Sequence, residues 1–173
     1  MRSYDLTAEM YNERYAEEQE AKYAKALQNL DVADGVFLDV GCGSGLFFSH
    51  VAAKSKMLVG IDISHKLLLK AKEQANCLKN TFVLQADADH LPFRDAFFDA
   101  VFSFTMLQNM PKPSETLNEI KRITNHEGRV LVTGLKKAFP LEAFMDVLES
   151  SDLKIASFTD DQNLKCYVAE LTA

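Results

Sequence analysis

Apolar and polar positions change period repeatedly along the chain, and each change marks an element. Over the first thirty residues Tyr11, Tyr15, Tyr23 and Leu27 recur at about helical spacing, with Glu and Lys between them, which predicts an N-terminal helix. Asp34-Gly35 breaks that pattern. Residues 36–40 form a short apolar run ending in a glycine cluster, which reads as a buried strand. A helix is predicted over 46–53, with Phe47, Phe48, Val51 and Ala52 apolar, and a strand over 57–63. Ser64 is an N-cap candidate for a helix carrying Leu67, Leu68, Ala71, Ala75 and Leu78. A strand over 81–86, a loop through His90-Leu91-Pro92-Phe93 and a long strand over 97–106 follow. A helix over 114–124, a turn over 125–128, a strand over 129–135 and a helix over 141–148 come next. Strands near 154–158 and 165–171 close the chain, with a polar turn between them at 160–163.

Strands alternating with helices predict a parallel sheet covered on both faces. The last two strands are separated only by a turn, which suits an antiparallel hairpin. The expectation is therefore a three-layer α/β/α, doubly wound sheet with one reversed edge element. No repeat or Gly/Ser/Pro linker interrupts the 173 residues. That length suits one domain, here residues 1–173, with 1–34 as a helical cap.

Charge and composition narrow the class. The chain carries a net charge of −6 and a pI near 5.2, which argues against unaided binding of nucleic acid. No run approaches ~18 apolar residues, so no membrane-spanning helix is expected. The first twenty residues are polar and acidic, unlike a signal peptide. Cys42, Cys77 and Cys166 stand far apart with no CxxC pair. They fit reduced thiols in a cytoplasmic protein and offer no metal cluster.

The segment Asp39-Val40-Gly41-Cys42-Gly43-Ser44-Gly45 lies between a predicted strand and a predicted helix. Glycines let backbone amides approach a ligand, although an ordinary glycine-rich turn has the same look. The dinucleotide fingerprint requires a glycine where Leu46 stands, and the Gly-Lys-Ser/Thr of a phosphate loop is absent. Neither a dinucleotide nor a nucleoside triphosphate is the expected ligand. Asp62 ends the next strand, where an acid accepts from ribose hydroxyls, and Asp87 ends the one after. Each acid alone reads equally well as a cap or loop residue. Three of them, Asp39, Asp62 and Asp87, at the carboxyl ends of successive strands mark a binding crevice.

With these residues in place, the chain resembles a class I, Rossmann-like S-adenosylmethionine-dependent methyltransferase of the type 11 kind. The resemblance rests on FLDVGCGSGLF, VGIDISHKLLLKA, VLQADADHLPFRDAFFDAVFS and LNEIKRITNHEGRVLV, in the family's order across about 36–135, and on the opening YDLTAEMYNERY. It implies a seven-stranded sheet with the final strand antiparallel. It implies that Gly41, Gly43 and Gly45 pack against the methionine and ribose of the cofactor and that Asp39 sits near its amino group. Asp62 would bind the ribose, Ile63 would pack on the adenine, and Asp87 and Ala88 would bind the adenine edge. Phe104 would lie by the methionine moiety and Tyr11 would cover the cofactor.

Methyl transfer from a sulfonium is an in-line displacement in which alignment does most of the work. Many relatives have Leu-His-His where this chain has Leu107-Gln108-Asn109, and the Asn-Pro-Pro-Tyr motif of amide and exocyclic-nitrogen methylation is absent. No catalytic residue is therefore assigned. His90 and His126 read as solvated loop residues and Cys42 as a packing residue. Phe97, Phe98 and Phe102 read as strand core or as a docking edge. Only residues 136–140 separate the predicted strand and helix at the site's rim, so an open pocket is expected. Openness favours a macromolecular acceptor, protein or tRNA, with a small activator subunit or self-association as the expected partner. A small-molecule acceptor and a non-catalytic cofactor-binding regulatory subunit are the alternatives.

Overall fold

A computed structural model describes residues 18–28, 30 and 33–173. Residues 18–27 are helical (α1). Seven strands follow: β1 (Gly35–Val40), β2 (Ser55–Asp62), β3 (Thr81–Gln85), β4 (Phe98–Phe104), β5 (Thr124–Leu135), β6 (Lys154–Thr159) and β7 (Cys166–Thr172). Between them lie α2 (Phe48–Val51), α3 (His65–Asn76), α4 (Pro113–Ile123) and α5 (Leu141–Glu149). The strands form one sheet in the order β3-β2-β1-β4-β5-β7-β6. β3, β2, β1, β4 and β5 pair in parallel, and β7 runs antiparallel to both β5 and β6.

The two-residue alternation of the strands feeds two cores. Phe37, Leu58, Ala100 and Phe102 face α1, α2 and α3, while Leu38, Val59, Val101 and Val130 face α4 and α5. On α4, Leu117, Ile120 and Ile123 fall on one stripe and are fully buried. Ser64 caps α3 as its position suggests, its Oγ accepting from Leu67 N at 3.4 Å.

Four expectations change. The helix expected over 46–53 contracts to α2, followed by a 3-10 turn at Ala52–Lys54. The strand expected to reach residue 106 stops at Phe104, because Thr105 takes a left-handed backbone with φ 55°. The turn expected at 125–128 is a bulge within β5: Phe98 pairs with Thr124, but Ala100 pairs with Arg129. The reversed element is not an edge, since β7 inserts between β5 and β6 and leaves β6 outermost. Phe98 and Phe102 are wholly buried and Phe97 packs on the second core, so these rings form strand core rather than a docking edge.

Candidate active site

The chain leaves β1 toward β2 and β3, then crosses back to β4 on the other side of β1. This reversal splays the loops after β1 and β4 and opens a crevice at the carboxyl ends of the strands. A cleft of about 730 Å³ lies there, within the range of small-molecule sites. Gly41, Gly43, Asp62, Ile63, Asp87 and Ala88 line it, and Phe104 closes one side. The structure thus brings seven of the ten expected residues to one surface. Asp39 and Gly45 lie behind that surface, and Tyr11 falls outside the described residues.

The glycine loop is fixed at both ends. The amides of Gly41 and Cys42 both donate to Ile61 O, at 2.9 and 2.8 Å. Gly41, Gly43 and Gly45 have φ of 75°, 56° and 80°, a region that side chains disfavour. A Cβ at Gly45 would lie 2.7 Å from Phe48 Cε2, so this glycine lets α2 pack against the loop. A Cβ at Gly43 would meet nothing within 4 Å. That position opens into the cleft, where a ligand can approach the backbone.

Asp62 ties this loop to the turn after β2. Its Oδ2 accepts from Gly43 N at 2.9 Å, and its Oδ1 accepts from Ser64 N at 2.8 Å. Asp87 Oδ1 accepts from Asp89 N at 3.0 Å, an Asx-type turn. The segment after Asp87 is held by α4: Glu119 accepts from Leu91 N at 2.8 Å, and Arg122 donates to Phe93 O at 2.9 Å and Leu91 O at 3.0 Å. The carboxylates of Glu119 and Asp95 in turn raise the Arg122 pKa and keep the guanidinium charged.

Asp39 is only 3% exposed, and burial pushes its carboxyl up to about 7 against the pull of Lys22, with Asp62 adding to the rise. Burial also raises the Cys42 thiol, with Asp39 and Asp62 adding to the effect, so Cys42 packs rather than reacts. The His90 side chain is 87% exposed, with Nδ1 3.9 Å from Asp87 Oδ2, and His126 is exposed. Both stand in solvent, as expected. Among the described residues no cluster of His, Cys, Asp or Glu is arranged to hold a metal.

Several site residues were not foreseen. Gln19 and Tyr23 of α1 reach the cleft, as do Thr105, Met106 and Asn109 beyond β4. Lys22, beside Tyr23, is buried and donates to Thr105 Oγ1 at 3.1 Å. Tyr23 packs on Phe47 and Phe104 with ring centroids 4.9 and 5.3 Å apart, which anchors α1 to the sheet. Tyr23 was marked by its helical spacing. Nothing in the spacing separated Lys22 from the solvent-facing lysines.

Comparison with known proteins adds the family. A family description, "Methyltransferase domain", matches residues 38–132. A malonyl-[acyl-carrier protein] O-methyltransferase of Erwinia billingiae is 31% identical over 140 residues, covering 77% of this chain and 52% of that protein. The chain spans about half the length of several of the curated relatives it matches. In fold, a SAM-dependent methyltransferase from Aquifex aeolicus superposes with a TM-score of 0.76 at 20% identity, covering 86% of this chain and 88% of that one. A complex between the Haloferax volcanii Trm112 methyltransferase activator and a methyltransferase superposes with a TM-score of 0.75 at 16% identity, covering 92% and 93%. The matched span includes the glycine loop, Asp62, Asp87 and β4, so the chain belongs to the methyltransferase-domain family, whose methyl donor is S-adenosylmethionine.

Proposed function

We propose that this protein transfers a methyl group from S-adenosylmethionine to an acceptor carried on a macromolecule. The observation that carries the donor is the pairing of Asp62 with an open Gly43 at the mouth of the cleft. A carboxylate with spare lone pairs beside bare backbone suits a ribose diol. When bound, the donor supplies a methyl group made electrophilic by its sulfonium. The remaining work belongs to the chain. Gly41, Gly43 and Gly45 shape the wall for ribose and methionine, and Asp62 accepts from the ribose hydroxyls. Ile63, 68% exposed, offers an apolar face to the adenine, and Asp87 with Ala88 reads its edge. Phe104 walls the methionine end, and Asp39 supplies negative charge for the amino group.

Alignment is the main catalytic term in this reading, contributing several kcal/mol. Gln108, where many relatives place a histidine, donates from Nε2 to Thr105 O at 2.6 Å and braces the turn after β4. A protein-borne acceptor is supported by the five-residue link between β5 and α5, which adds no roof, and by the relative that acts on a malonyl group on an acyl-carrier protein. A tRNA acceptor is the rival within this reading. An activator subunit is supported by the fold's likeness to the activator-bound methyltransferase. A cytoplasmic location is supported by the unpaired thiols of Cys42, Cys77 and Cys166. No described helix is long and apolar enough to cross a membrane.

The test is transfer of labelled methyl from S-adenosylmethionine into a fractionated extract free of endogenous activity. Label in a protein fraction is expected. Label confined to RNA or small molecules reassigns the acceptor. Cofactor binding without label in any fraction, with and without candidate activators, favours a regulatory subunit.

A further inference from the structure

Lys22 is a charged residue with 3% exposure on a short cap helix. A buried ammonium costs several kcal/mol unless its surroundings compensate. Here they do. Its Nζ donates to Thr105 Oγ1 at 3.1 Å and to Gln19 Oε1, and lies 5.0 and 5.8 Å from the ring centroids of Tyr23 and Phe104. Beneath it is Asp39. The alternation of β1 places Asp39 on the face of Phe37, the face that α1 covers. The titratable groups facing Lys22 are Asp39 on β1, Glu18 on α1 and Cys166 on β7. Those facing Asp39 are Lys22 and Asp62, with Cys42 beside it.

Thr105 is the other half of the arrangement. A β-branched residue with φ 55° is strained, at a cost of about 1–3 kcal/mol. It is held at three points: its N donates to Thr133 Oγ1 at 2.8 Å, its O accepts from Gln108, and its Oγ1 accepts from Lys22. One ammonium therefore ties the cap helix to the turn that follows Phe104 and faces the carboxyl at the root of the glycine loop.

We propose that Lys22 is a positioning residue for the methyl donor: from the cap helix it sets a positive charge over Asp39 behind the glycine loop and fixes the Thr105 turn. The donor site is then complete only when α1 is docked. The inference rests on the reading that the cleft takes S-adenosylmethionine. Burial already lifts the Asp39 carboxyl to about 7 with Lys22 present, and Lys22 is the cation that opposes the rise. Without it Asp39 is neutral over a wider pH range and attracts a cationic amino group less.

The experiment is calorimetric affinity for S-adenosylmethionine from pH 6 to 9 in the wild-type chain and in Lys22→Met, Lys22→Gln and Lys25→Met. Lys22→Met is expected to weaken binding about tenfold or more at pH 7. It should also move the pH at which affinity is gained upward. Lys22→Gln keeps a donor for Thr105 without charge, so it should recover part of the affinity but retain the displaced pH profile. Lys25→Met, on the same helix and away from Asp39, should match wild type. Near-UV circular dichroism checks that each variant keeps its tertiary packing. A well-folded Lys22→Met or Lys22→Gln that binds like wild type, with the same pH profile, overturns the inference. Failure of the wild-type chain to bind at all overturns the donor reading and takes the inference with it.

Discussion

Asp62 and Gly43 are joined across the mouth of the cleft, Oδ2 of the carboxylate accepting from the glycine amide at 2.9 Å. The other oxygen accepts from Ser64 N, so one side chain ties together the turns after β1 and β2. Each oxygen keeps a lone pair for a ligand hydroxyl. Asp62→Asn removes the charge and one acceptor, and Asp62→Ala removes both acceptors. Cofactor affinity should fall about tenfold or more in the first and further in the second, since hydrogen bonds to a charged group are worth about 1.5–3 kcal/mol. Titration calorimetry measures this directly. Unchanged affinity in Asp62→Ala removes the ribose assignment.

Gly43 and Gly45 are two residues apart, yet alanine should act on them differently. Gly43→Ala meets no atom within 4 Å, so its cost in stability is the left-handed backbone alone, about 1–2 kcal/mol. Its methyl group enters the cleft, and cofactor affinity should drop out of proportion to that loss. Gly45→Ala suffers the same strain and also presses a methyl 2.7 Å from Phe48 Cε2 and 3.2 Å from Ala71 Cα. Overpacking adds about 1–3 kcal/mol, so this variant should be the less stable of the two. Urea unfolding and cofactor titration of both variants separate binding from packing. Equal stability losses would show that the loop, not the Phe48 contact, sets the requirement at Gly45.

The contrast between these glycines also shows what the sequence made readable. The strand-loop-helix around Gly41–Gly45 was legible because period, glycine spacing and the acids after β2 and β3 agree locally. Ser64 was legible as a cap for the same reason. The place of β7 was not, because a hairpin turn fixes that two strands are antiparallel but leaves open which one pairs with β5. The stop of β4 at Phe104 was hidden because Thr105 is a strand-favouring residue in a backbone that only its three hydrogen bonds sustain. Lys22 was hidden because a lysine among polar helix positions reads as solvated until Asp39 is known to lie beneath it. Cleft-lining positions set by local pattern were legible, and Lys22 and Thr105, whose surroundings come from long-range contact, were not.

Thr105 and Ala96 share a left-handed backbone, with φ of 55° and 51°, but not a purpose. Ala96 is exposed, and its amide bond to Arg122 O at 2.9 Å survives substitution. Ala96→Gly should therefore stabilise the fold by about 1 kcal/mol, or about 2–4 °C in melting temperature, without altering cofactor affinity. Thr105→Gly gains similar relief but loses the acceptor for Lys22 and the packing of a residue that lines the cleft. Its melting temperature should change little while cofactor affinity falls. Thermal melts with and without S-adenosylmethionine give both quantities. A Thr105→Gly variant that is more stable and binds normally would mean that the strain serves no site.

Asp39 should leave a mark on the pH dependence of stability. Its folded-state carboxyl is raised to about 7 from the model-peptide value of 3.8, chiefly by burial. The folded state therefore holds a proton that the unfolded state has already lost between about pH 4 and 7. Stability must fall as pH rises through that window and level off above it. About three pH units at ~1.4 kcal/mol each cap the loss at about 4 kcal/mol. Asp39→Asn removes the titrating group, so its stability should show a shallower decline from pH 4 to 7 than wild type. Above pH 7 the variant gains by avoiding a buried carboxylate, but it leaves the Lys22 ammonium without its counter-ion, so its advantage should stay well short of the cap. Urea denaturation at closely spaced pH values measures both slopes. Parallel slopes for the two proteins would mean that Asp39 is ionised throughout this range, held so by Lys22 more strongly than its burial implies.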